Sequence, residues 1–116
     1  MASFRVLLFA LMSLILASSC AQRREAFYFG DYSEAEAFYN KGEYERAIQK
    51  YQTYIAENPE GNLAVIAKYY VAKSHAALGQ IEEARKIYQK IVEDKVDVVW
   101  TNLAEAQLKE LERPQK

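Results

Sequence analysis

Cysteine and histidine are nearly absent from this sequence, with one of each in 116 residues. A lone cysteine cannot close an internal disulfide, and one cysteine with one histidine cannot build a conventional structural zinc site. Four glycines and two prolines are too few for a collagen-like or low-complexity chain. There is also no excess of one charge sign: 15 Lys+Arg stand against 16 Asp+Glu, a net charge of -1. The basic surplus that draws a chain onto nucleic acid is therefore missing, and no nucleic-acid partner is expected. What is abundant is apolar and aromatic, 51% and 13% of the residues, with nine tyrosines. Composition and length together favour a single, folded, all-α domain.

The first 19 residues differ from the rest. Arg5 is their only charge, and the run Val6 to Leu16 is uninterrupted by a charge. Eleven residues at about 1.5 Å each fall short of a hydrocarbon core about 30 Å thick, and the small residues Ala17, Ser18 and Ser19 follow at once, so the segment reads as a signal peptide rather than a membrane anchor. The only cysteine comes immediately after, in Leu16-Ala17-Ser18-Ser19-Cys20. This resembles the lipobox of bacterial lipoproteins, with Ala17 where a leucine is usual. The resemblance implies cleavage before Cys20 and lipidation of its thiol, with several acyl chains holding the protein where one would hold only marginally. An ordinary secretory signal cut near Ser19, leaving a free thiol, is the alternative. Ala21 follows the cysteine where lipoproteins retained in the inner membrane of enteric bacteria often carry Asp, so the resemblance points to the periplasmic face of the outer membrane. Residues 20–32, with Arg23 and Arg24, then form a tether.

From Ser33 onward apolar residues recur at helical spacing. Gly42, Ala47 and Tyr51 return 37 positions later as Gly79, Ala84 and Tyr88. The physical sense of such a unit is a helix, a tight turn at Gly, and a second helix whose small Ala admits its neighbour closely. Gly42, Tyr44, Ala47, Tyr51, Tyr54 and Pro59, with Gly79, Ile81, Ala84, Tyr88 and Ile91, resemble the signature of the tetratricopeptide repeat. The resemblance implies a short right-handed α-solenoid of two helical hairpins, about 33–59 and 62–94. Residues 98–112 then form a capping helix and residues 113–116 a tail. Ser33 followed by Glu36 predicts a capping box for the first helix, Ser33 to about Lys41. The other helices are expected at Tyr44 to Glu57, Leu63 to Leu78 with Asn62 as N-cap, Ile81 to Glu93, and Val98 to Glu112. In the last, Trp100, Leu103, Ala104, Leu108 and Leu111 are expected to face inward. The extended turn after Pro59 is similar to repeats in envelope proteins of the BamD and YbgF/CpoB type.

No catalytic pattern emerges: there is no phosphate-binding glycine loop, nucleophile motif or metal-ligand spacing, and neither a metal nor another cofactor is expected. His75 sits where the repeat packs an aromatic, and the acids recur at solvated helical spacing. Mapped onto the repeat, Tyr32, Glu36, Tyr39, Asn40, Tyr69, Lys73 and Ala76 lie on the concave side, where such repeats hold peptides or partner helices. These seven are the candidate groove, although the same tyrosines also suit a small core. The reading is a lipid-anchored protein-interaction adaptor in the bacterial envelope, not an enzyme. Its alternative is a structural or assembly subunit of an envelope complex, in outer-membrane protein assembly, a pilotin-like role or cell-division coordination. A periplasmic protein or peptide is the expected partner, the membrane is contacted through lipid, and self-association is left open.

Overall fold

A computed structural model describes residues 29–114. The signal segment, Cys20 and most of the tether lie outside the described residues. Five helices follow in order: α1 (Asp31–Asn40), α2 (Tyr44–Glu57), α3 (Asn62–Ala77), α4 (Ile81–Asp94) and α5 (Val98–Glu112). Each packs on its sequence neighbours, and α5 also touches α3. This is the expected all-helical solenoid of two hairpins and a closing helix.

The turns carry the repeat in their backbone. At the end of α1 the Gly42 N–H donates to the Tyr39 carbonyl at 3.0 Å and the Glu43 N–H to the Phe38 carbonyl at 2.9 Å. At the end of α3, Gly79 donates to Ala76 at 3.0 Å and Gln80 to His75 at 2.8 Å. Each is a Schellman closure, which satisfies the orphaned carbonyls of the last helical turn and demands a left-handed residue. Gly42 and Gly79 supply it at φ 77° and 78°, where a Cβ would be strained. The chain therefore reverses twice in the same way, and α2 and α4 fold back on α1 and α3.

Where the helices meet, the side chains shrink. Ala35, Ala47, Ala72, Ala84 and Ala104 are fully buried. Two cores form on opposite sides of α3. The first joins Tyr32 and Ala35 of α1, Ala47, Ile48 and Tyr51 of α2, and Ala67 and Val71 of α3. The second joins Val65, Tyr69 and Ala72 of α3, Ala84, Tyr88 and Ile91 of α4, and Ala104 of α5. Lys50 of α2 reaches back to α1, 3.2 Å from Asp31 and 2.7 Å from Glu34.

Helices α2 and α5 have the expected bounds, whereas three local expectations are corrected. Helix α1 begins at Asp31, two residues before Ser33, and Gly30 rather than Ser33 is its N-cap. Ser33 Oγ instead accepts from the Phe29 N–H at 2.8 Å, so no capping box forms at Ser33. Asn62 is the first residue of α3, with Gly61 as the N-cap and no side-chain capping bond. The cap that is present belongs to α5: Asp97 Oδ1 accepts from the Val99 N–H at 2.9 Å and the Trp100 N–H at 3.2 Å, which fixes where that helix starts. Leu103, expected to point inward, is 39% exposed, while Trp100, Leu108 and Leu111 pack against the second core.

Tyr88 is fully buried, and its hydroxyl has no hydrogen-bond partner among the described residues. A buried hydroxyl without a partner costs about 1 to 3 kcal/mol of desolvation. Tyr88→Phe keeps the ring and removes that atom, so it is expected to leave the thermal midpoint unchanged or raise it. A clear fall in the melting temperature would show that the hydroxyl is engaged after all.

Candidate functional site

The aromatic residues form two layers, a mostly buried one drawn from α1 to α4 and a half-buried one. The lower layer is core. Tyr32 meets Tyr51 at 5.7 Å and Tyr54 at 5.4 Å between ring centres, and Tyr69 meets Tyr88 at 5.6 Å, all edge to face. Such contacts contribute about 0.5 to 1.5 kcal/mol beyond the area they bury. Tyr70 links the layers, stacked on Tyr51 at 6.0 Å and perpendicular to Tyr69 at 5.5 Å.

The upper layer is a half-buried row with one ring from each odd-numbered helix: Tyr39 of α1, Tyr70 of α3 and Trp100 of α5. Tyr39 and Tyr70 are 5.1 Å apart at 74°, and Tyr70 and Trp100 are 6.4 Å apart at 58°. Tyr44 of α2 extends the row, 5.4 Å from Tyr39. Each of these residues is half-buried, which suits a surface that buries further apolar area against a partner at low entropic cost.

The seven candidate groove residues divide between these layers. Tyr32 and Tyr69 are buried, so their rings hold the two cores together. Tyr39 lies in the half-buried row. Glu36 and Asn40 are exposed on α1, and Glu36 accepts a hydrogen bond from the Tyr32 hydroxyl. Lys73 is half-buried with its Nζ 5.9 Å from the centre of the Tyr69 ring, a cation over an aromatic face. Ala76 is half-buried against the second core. Tyr70 and Trp100 were not among the seven. Tyr70 is the immediate neighbour of Tyr69, about 100° further round a helix that is packed on two sides.

Burial governs the chemistry of the phenols. It pushes the Tyr32 hydroxyl up to about 12, aided by the Glu36 carboxylate. Burial also raises Tyr51 and Tyr88, in each case with help from neighbouring tyrosines. Tyr69 is raised by burial and by Tyr70, opposed by a hydrogen bond from Gln107 of α5. Tyr39 is raised by burial and by Tyr44. These groups are thus neutral hydroxyls at physiological pH, able to pack and to hydrogen-bond but not to act as bases. His75 is half-buried at the α3–α4 turn, its Nδ1 donating to Gln80 Oε1 at 2.6 Å. Among the described residues no group of three His, Cys, Asp or Glu is placed to hold a metal ion. No described helix is long and apolar enough to cross a membrane.

A family model described as Tetratricopeptide repeat matches residues 26–109 of the chain. No curated protein and no solved structure matches it.

Proposed function

Because the chain belongs to the tetratricopeptide repeat family, we propose that it is a lipid-anchored adaptor of the bacterial envelope that holds a protein partner on its row of half-buried rings. The family assignment supports a role in protein–protein interaction. The observation that carries the finer reading is the row itself. Tyr39, Tyr70 and Trp100 cross three helices with successive ring centres 5.1 and 6.4 Å apart, and all three residues are half-buried. Anchoring rests on the position of Cys20 directly behind an apolar segment and small residues, where cleavage would make it the N-terminal residue. Ala21 and the short distance from Cys20 to α1 favour a domain held near the periplasmic face of the outer membrane. Ten residues span at most about 35 Å.

The anchor is tested first. Cys20→Ser in the full chain is expected to block maturation or release the protein from the membrane fraction, read by fractionation and by labelling with a radioactive fatty acid. Normal maturation with unchanged membrane partition would overturn it. The partner is then sought by crosslinking the tagged full chain in membranes before extraction. A protein captured by the parent and lost when the ring row is altered supports the adaptor reading, and equal capture by both overturns it.

A further inference from the structure

Helix α5 has a second apolar face that neither core uses. Val99, Leu103 and Ala106 follow one another at intervals of four and three residues, Glu110 comes four residues later, and Val96 stands just before the helix, ahead of its Asp97 cap. Val96, Val99 and Leu103 are 62%, 56% and 39% exposed, and Ala106 and Glu110 are exposed as well. The inward face of α5 is built from Trp100, Ala104, Leu108 and Leu111, so this strip lies about a third of a turn away. Alternating three- and four-residue steps are the spacing by which one helix packs along another at a shallow angle.

We propose that this strip is the contact with a second copy of the chain, α5 against α5, antiparallel about a two-fold axis near Leu103. The strip matches itself in that arrangement. Leu103 meets Leu103 at the axis, and the small Ala106 falls opposite the second copy's Val99 to Trp100 turn, so the helices can approach closely. The charges match as well. Glu110 is seven residues, about 10.5 Å, beyond Leu103. An antiparallel neighbour offers at that level the segment just before its own α5, where Lys95 is exposed. Lys95 has no ion-pair partner among the described residues, and Glu110 is held only by the exposed Arg113 one turn on, at 2.9 Å. The two-fold axis makes the Glu110 to Lys95 contact twice, and the helix dipoles oppose one another favourably. A parallel pair would place Glu110 against Glu110. The strip has only a few apolar side chains, so the pair is weak and depends on concentration, as suits copies gathered on one surface.

Cysteine crosslinking in the full chain, with Cys20 retained, tests this. Leu103→Cys is expected to give a covalent dimer with a short bis-maleimide, at about tenfold the yield of Gln89→Cys, an exposed position on α4. The parent, with Cys20 alone, sets the background. Adding Glu110→Lys to Leu103→Cys should bring the yield down to that of Gln89→Cys, and adding Lys95→Glu as well should restore it. Circular dichroism on each variant checks that the helices persist. If Leu103→Cys crosslinks no better than Gln89→Cys, there is no α5 pair. If Glu110→Lys has no effect, or the charge swap fails to restore the yield, the antiparallel two-fold pair is wrong.

Discussion

Above pH 10 the domain is expected to unfold within about two pH units, in step with the ionisation of its tyrosines. Tyr32, Tyr51, Tyr69 and Tyr88 are at most 6% exposed, and burial raises the ionisation of every one of them above the ordinary phenol value. An unfolded chain releases these protons near pH 10, whereas the native chain keeps them. Between the two values the unfolded state binds fewer protons, so stability falls as pH rises. Each tyrosine that stays protonated contributes about 1.4 kcal/mol of loss per pH unit, and the three most strongly raised, Tyr32, Tyr51 and Tyr88, together about 4. A domain of this length is stable by roughly 4 to 13 kcal/mol, so the loss is decisive before the native hydroxyls titrate. The lysines act in the same direction. Hydrogen bonds to Glu34 and Asp31 raise Lys50, and one to Asp94 raises Lys90, so both pairs favour the native state at lower pH and are lost as pH rises through the raised values. Far-UV circular dichroism and tyrosinate absorbance followed in one titration check this. The two transitions should coincide and be steep. Tyrosinate absorbance complete for all nine tyrosines while the helices persist would mean that the four core rings are open to water.

The same burial explains which parts of the fold were legible in the sequence. Gly42 and Gly79 are required by a left-handed backbone, and Ala47 and Ala84 by the absence of room for anything larger. Such positions admit few residue types, so the 37-residue period stands out. The start of α1 was less legible because a favourable cap at Ser33 competes with contacts from elsewhere. Asp31 is bonded to Lys50, 19 residues away, and that bond accompanies a helix extended past the local signal. Helix α3 hides its orientation for a different reason. It packs on both sides, with Ala64, Val65, Ala67, Tyr69, Val71, Ala72 and Ser74 all buried, and so has no broad polar stripe to mark its outer face. That is why Tyr69, assigned to the groove, lies in the core while Tyr70 beside it reaches the surface. Leu103 misled in the opposite sense: an apolar residue on a closing helix reads as core, yet it sits just beyond the edge of the packed face.

Truncating Tyr39 and Trp100 together to alanine is expected to weaken partner binding by about a hundredfold or more, since aromatic anchors at the centre of an interface often contribute about 2 kcal/mol or more each. The isolated domain should lose less, because both rings are half-buried and removing part-exposed area costs about 1 to 2 kcal/mol per ring. Tyr69→Ala serves as the contrast. That ring is 5% exposed and touches Tyr70, Tyr88 and Trp100, so its loss opens a cavity between α3, α4 and α5 and costs about 3 to 5 kcal/mol of stability. Measuring affinity for the crosslinked partner beside a thermal melt separates the two effects. An interaction surface predicts that the Tyr39 and Trp100 variant melts nearer to the parent than Tyr69→Ala does, yet binds far more weakly than its melt accounts for. If the double variant binds the partner as the parent does, the partner lies elsewhere, and these rings serve only to roof the two cores.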